Sequence, residues 1–182
     1  MITEQQKAAS VARAKQHAAA DRLISGSYTE PGKTTGCSVG CFALDIRSER
    51  GDTWRLGDDG GPKDGYHAYV AEHAGTPEWL LHLQDAVFEN LPADRRKSWH
   101  VEIAEALPVG VDLTAVRHLI QYDILQIAAR SIGDGDEDWR VQCRAAVDAV
   151  AALHLRASKT AVSDDEWSAA ESVARSAESA AW

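Results

Sequence analysis

Apolar residues recur along this chain at intervals of three and four, the spacing that gathers them on one side of an α-helix. Residues 76–91 (TPEWLLHLQDAVFENL) place Leu80, Leu83, Val87 and Leu91 on one stripe, with Thr76 as N-cap, Pro77 at the first helical position and Pro92 beyond the end. A helix over about 93–107 aligns Trp99, Ile103, Ala106 and Leu107. The next starts at Asp112 and aligns Leu113, Val116, Ile120, Ile124 and Ile127. Residues 136–157 align Trp139, Cys143, Ala146, Val150 and Leu153, which makes Cys143 an inert core residue. Ser163 and Glu166 form a capping-box pattern with acids at the positive end of the helix dipole, and Trp167, Ala170, Ala174, Ala177 and Ala181 follow on one narrow seam. Residues 3–24 are a further Ala-rich helix. No run alternates apolar and polar residues as strands do. The pattern predicts an all-α fold, a single-domain helical bundle of about six to seven helices over 1–182, ending in an Ala-rich helix over 163–182.

One segment departs from this order. Nine of the 13 glycines lie between Gly26 and Gly65, so residues 25–65 read as an irregular, glycine-rich segment. Within it, 37–47 predicts a short helix and 48–65 an exposed loop. A loop this long inside a compact domain is usually functional or disordered, which places the expected site here.

The chemistry of that segment admits several readings. Gly32, Lys33 and Thr34 suggest a phosphate loop, but five residues separate them from Gly26 where the pattern has four, and Pro31 offers no N–H. A helix rather than a strand precedes them, so a P-loop is rejected, leaving weaker anion binding by Lys33, Thr34 and Thr35 near a helix start. Cys37 and Cys41, with His67 and His73, offer zinc-ligand spacings within each pair, separated by a 25-residue gap. Cys37 follows Gly36 where a helix begins, a place that lowers a thiol pKa; His67 would then serve as base, oriented by Asp85 or Glu89. Glu78, His82, Asp85 and Glu89 fall on one polar line opposite the leucine stripe, a solvated face or the wall of a pocket. Trp54, in the loop, is either an exposed anchor for a ligand or partner or a lid on the core. His100, His118 and His154 lie singly on helices and read as ordinary surface or partly buried residues.

Composition narrows the classes. The 28 acidic residues against 19 Lys plus Arg give a net charge of −9, which opposes direct nucleic-acid binding and leaves open a basic protein partner. No apolar run approaches a membrane span, and the start MITEQQKAAS lacks the features of a signal peptide, so a cytoplasmic protein is expected. Three cysteines are too few and too unevenly placed for a disulfide framework.

The set GCSVGC (36–41), HAY (67–69), GTP (75–77), LQDAVFENLP (83–92) and PVGVDL (108–113) resembles a family of uncharacterised phage and bacterial proteins. The Ala-rich tail is similar to bacterial immunity proteins of the Imm5-like type. These resemblances imply an accessory protein of phage–bacterium or inter-bacterial conflict, acting by binding and blocking as an inhibitor, anti-defence or immunity factor. The expectation is therefore a non-enzymatic binding protein, monomeric or homodimeric and without a cofactor. It would recognise a protein partner or a small anionic ligand through Lys33, Thr34, Thr35, Cys37, Ser38, Trp54, His67, Tyr69, Asp85 and Glu89. The alternatives are a cysteine-dependent enzyme using Cys37, His67 and Asp85, and a zinc-stabilised module using Cys37, Cys41, His67 and His73.

Overall fold

The computed structural model describes residues 1–30, 32–55 and 61–180, the side chains of 178–180 excepted. Pro31, residues 56–60 of the glycine-rich loop and Ala181 of the C-terminal seam lie outside the described residues. The chain is all-α, with eight helices among the described residues: α1 (Glu4–Ala19), α2 (Ser38–Arg50), α3 (Tyr66–Ala74), α4 (Glu78–Asn90), α5 (Ala93–Ala106), α6 (Thr114–Ile132), α7 (Asp138–Ala157) and α8 (Asp164–Ala180). α3 is the helix the periodicity did not predict; its nine residues put Tyr66, Tyr69, Val70 and Ala74 on one buried face. The helices divide into two compact units, Met1–Val111 and Asp112–Trp182. No helix among the described residues is long and apolar enough to cross a membrane.

In the first unit α2 is the central element, with its residues 38–44 and Ile46 all buried. Around it the core gathers Ala14, Val39, Phe42, Val70, Leu81, Phe88 and Ala104. The inward faces differ from the predicted stripes. α4 buries Leu80, Leu81, Gln84, Asp85 and Phe88, while Leu83, Val87 and Leu91 lie only partly buried. On α5 the inward positions are His100 and Ala104, with Ala106 exposed, and on α1 they are Ser10, Ala14 and His17. His17, Gln84 and His100 take core positions here because each finds buried partners, described below. Thr76 is buried rather than capping α4, whose N-cap is Pro77.

The segment between α1 and α2 is held by backbone bonds. Gly36 N–H donates to Arg22 O, Ile24 N–H to Gly36 O and Cys37 N–H to Ser27 O. Gly36 and Gly40 let this segment lie directly on α2, since a Cβ on either would overlap the carbonyl oxygen of Tyr28. The glycines of the GCSVGC motif thus serve close backbone approach. Trp54 folds onto the core as a lid: its ring meets Tyr66 and Tyr69 edge-on, and the Arg47 guanidinium lies 5.2 Å from its centroid.

In the second unit α6 packs on α7 and α7 on α8. Arg140 and Arg144 of α7 donate to the carbonyls of Ile132, Gly133 and Gly135, closing the end of α6 and the turn that follows. The capping box is present, with Ser163 N–H donating to Glu166 Oε2 (3.0 Å) and Glu166 N–H to Ser163 Oγ (3.4 Å). Ala170 and Ala177 of the α8 seam are buried, and the Cys143 thiol, half-buried, donates to Ala177 O. The apolar stripe of α6 departs from expectation. Val116, Ile124 and Ile127 are exposed, while the partly buried positions include His118, Tyr122, Leu125 and Ala129. His118 and His154 are partly buried and meet Nδ1 to Nδ1 at 3.0 Å beside the Trp167 ring, so they form a pair rather than standing singly.

Candidate functional site

A cleft of about 420 Å³ opens in the first unit between residues 26–28, the start of α2 and one face of α4. Gly26, Ser27, Tyr28, Cys37, Asp85 and Glu89 line it. Asp85 and Glu89 stand one turn apart on α4, so both carboxylates meet Cys37 across the cleft. The Cys37 sulfur, one Asp85 oxygen and one Glu89 oxygen lie within 4.8 Å of one another. Glu89 Oε2 accepts from Gly26 N–H at 2.8 Å, which ties the far wall to α4.

Cys37 is the N-cap of α2, its sulfur accepting from Gly40 N–H at 3.4 Å. A helix start alone would favour thiolate. Here burial above all, with the charge of Asp85 beside it, pushes the thiol far above its ordinary range. Burial and then the charge of Asp85 also raise the Tyr28 hydroxyl. The cleft is therefore a negative environment.

His67 packs behind it. Its Nε2 lies 3.5 Å from Asp85 Oδ2, its ring stacks on His82 with centroids 3.8 Å apart, and Tyr28 meets it edge-on. Among the described residues neither His67 Nε2 nor Asp85 Oδ1 has a hydrogen-bond partner, although both residues are more than nine-tenths buried. The predicted polar line on α4 therefore divides: Asp85 faces inward, whereas Glu78 and His82 pair at 3.7 Å in solvent.

The other expected site residues go elsewhere. Lys33 pairs with Glu30 at 2.8 Å, Thr35 donates to the same carboxylate, and Thr34 O accepts from Arg22, so these groups are engaged within the segment between α1 and α2. Tyr69 donates to Asp52 at 2.6 Å and, with Trp54 and His73, lines a second hollow of about 290 Å³. Burial and that contact push the Tyr69 hydroxyl up to about 12. The predicted zinc set is not brought together. Cys41 turns inward, its thiol directed at Arg22 O and Gly36 O and pushed up to about 12 by burial, while His73 packs on Tyr69. Among the described residues, Cys37, Asp85 and Glu89 form the donor cluster with metal-ligand reach.

Ser38 faces the interior, in a network of hydrogen bonds that the sequence reading missed. Arg22 Nη1 donates to Asp45 Oδ1 (2.9 Å), and Asp45 Oδ2 lies 2.8 Å from His17 Nε2. His17 Nδ1 lies 3.0 Å from His100 Nε2, His100 Nδ1 lies 2.9 Å from Ser38 Oγ, and Gln84 Nε2 donates to Ser38 Oγ at 2.6 Å. Burial, then His17, lowers the His100 pKa to about 3, so that ring is neutral. One arrangement satisfies every atom: His17 Nε2–H donates to Asp45, His100 Nε2–H to His17 and Ser38 O–H to His100. Burial works against the Asp45 charge, yet the contacts with His17 and Arg22 outweigh it and hold the carboxyl below its usual range. The network joins α1, α2, α4 and α5 and fixes the residue next to Cys37.

Fold and site together define an all-α protein with an acidic, thiol-bearing cleft. Compared with protein-family models, curated proteins and solved structures, the chain matches none.

Proposed function

We propose that this is a non-enzymatic binding protein whose cleft receives a positively charged group, presented by a basic protein partner. The supporting observation is the cleft lining: two carboxylates, one with a buried unpartnered oxygen, and no lysine or arginine among the described lining residues. An anionic ligand fits less well, because Asp85 and Glu89 would repel it and the Lys33 ammonium is engaged by Glu30. The net charge of −9 favours encounter with a basic partner over long range. The cysteine-enzyme reading is weaker, since a nucleophile needs the thiolate that burial and Asp85 disfavour. Inhibition, anti-defence or immunity in phage–bacterium or inter-bacterial conflict is the role that the sequence resemblances suggest.

The test is a titration of the full chain with hexa-arginine and hexaglutamate, followed by amide NMR. Hexa-arginine should shift the Gly26 and Cys37 amides, saturably and less so in high salt, and Asp85→Asn should abolish the shift. Equal responses to both peptides, or none to either, would remove the reading.

A further inference from the structure

The donors around the cleft are more selective than a simple acidic pocket requires. A guanidinium or ammonium group needs oxygen acceptors, and Asp85 and Glu89 supply them. It has no use for the sulfur that sits within 4.8 Å of both carboxylates. A thiol beside two carboxylates is instead a donor set for a borderline-soft divalent metal ion, because thiolate disfavours magnesium and calcium while carboxylate completes the charge. The three donors come from two rigid places, the N-cap of α2 and one face of α4.

The cluster does not stand on its composition alone. Asp85 is 9% exposed, yet among the described residues no group within hydrogen-bond length donates to its Oδ1. A buried carboxylate oxygen without a donor is costly, and an ion beside it removes that cost. His67, 8% exposed, is the second orphan: its Nε2 faces Asp85 Oδ2 at 3.5 Å, outside hydrogen-bond length. It is the neighbour that would hold the carboxylate's other oxygen once the first is engaged. Glu89 is held in place by Gly26 N–H, which donates to its Oε2.

We propose that Cys37 Sγ and the carboxylates of Asp85 and Glu89 bind one zinc-class transition-metal ion in this cleft, with His67 as a positioning residue for Asp85. This rests on the reading of the cleft as a receptor for positive charge and narrows the cation to a thiophilic metal. On binding, the Cys37 S–H bond breaks, the sulfur donates its electron pair to the ion, and one proton passes to solvent. No electron is transferred. The remaining coordination position is open to water or to a donor atom of a partner.

The experiment is titration of the chelator-treated full chain with Co²⁺, then Zn²⁺. Cobalt should give a near-ultraviolet sulfur-to-metal charge-transfer band saturating at one ion per chain. Zinc should displace it, with about one proton released per ion in weakly buffered solution. Cys37→Ser should abolish the band, Glu89→Gln should weaken zinc binding at least about tenfold, and His67→Gln should weaken it while retaining the band. Circular dichroism of each variant, and the Glu89→Gln variant at a half-buried position, separate lost binding from lost folding. No charge-transfer band, or zinc affinity unchanged in Cys37→Ser and Glu89→Gln, would overturn the metal site. If hexa-arginine still shifts the Gly26 amide in that case, the receptor reading stands without the metal. A metal signal with no peptide response would keep the metal site and remove the basic partner.

Discussion

Nδ1 of His17 lies 3.0 Å from Nε2 of His100, and neither ring reaches solvent. Two imidazoles this close can share a hydrogen bond only if one nitrogen of the pair lacks a proton. Asp45 fixes which proton His17 keeps, and Ser38 supplies the one that His100 Nδ1 accepts, so the chain of donors runs in one direction. Such a network, fully satisfied, selects a single packing of the helices that carry it.

That arrangement makes the first unit sensitive to acid. His100 has its pKa lowered from 6.5 to about 3 in the folded state. Between these values the unfolded chain binds a proton that the folded chain excludes, so stability is complete above about 6.5 and is lost as pH falls. The expected slope is at most about 1.4 kcal/mol per pH unit from this one group. Hydrogen exchange at the α2 and α5 amides between pH 7 and 5 should show it, and His100→Gln should flatten the slope. An equal slope in that variant would assign the acid sensitivity to other groups.

Gly40 lies inside α2, where alanine is ordinarily better by roughly 1 kcal/mol. Here a Cβ would overlap the Tyr28 carbonyl, a backbone atom that cannot rotate away. Gly40→Ala should therefore destabilise the first unit by about 1–3 kcal/mol and push residues 27–29 off the helix, opening the cleft wall. Denaturant unfolding gives the first number, and faster exchange of the Cys37 N–H, which donates to Ser27 O, reports the second. A stabilised variant would mean that the segment does not rest on α2.

Ser163 Oγ accepts from Glu166 N–H, while Glu166 Oε2 accepts from both Ser163 N–H and its hydroxyl. Ser163→Ala removes one half of this reciprocal cap and should cost about 1 kcal/mol, confined to the second unit. Amide exchange in the first turn of α8 should rise about fivefold, while α2 and α5 remain unchanged.

Helix positions were largely legible because periodicity and caps are local signals; the inward faces were not. Hydropathy assigns the core face of α4 to Leu83 and Val87, yet Gln84 and Asp85 are buried there. On α5 it favours Trp99 and Ile103 over His100, which is fully buried. In both cases the inward residue is polar and has a partner far away in sequence, such as Ser38 for Gln84 and His17 for His100. A single-helix pattern cannot contain that partner. A weak signal existed, since His17 and His100 both recur at helical spacing with alanines, Ala14 before the one and Ala104 after the other. At the site, Cys37, Asp85 and Glu89 were each singled out by chemistry, but only the approach of α4 to the start of α2 brings them together. Lys33 and Thr35 misled for the reverse reason, because both are engaged by Glu30, three and five residues away.

The protonation of Cys37 gives a further expected outcome. Its position at a helix start and its bond from Gly40 N–H both favour thiolate, so an exposed cysteine there would titrate below about 8.5. Against these stand burial, which is the larger effect, and the adjacent Asp85 charge, which acts in the same direction. The thiol should therefore react slowly with iodoacetamide and show no inflection up to pH 9.5, a range in which a free thiol becomes fully reactive. Asp85→Asn removes the second effect but keeps the first, so its labelling should be faster than the wild type's yet slower than that of a free thiol at every pH. Urea below the unfolding transition distinguishes reaction in the folded state from reaction through opening, because only the latter accelerates with denaturant. An inflection below about 8.5 in the folded protein would mean that the helix start outweighs burial, and it would restore the nucleophile reading of Cys37 with His67 and Asp85.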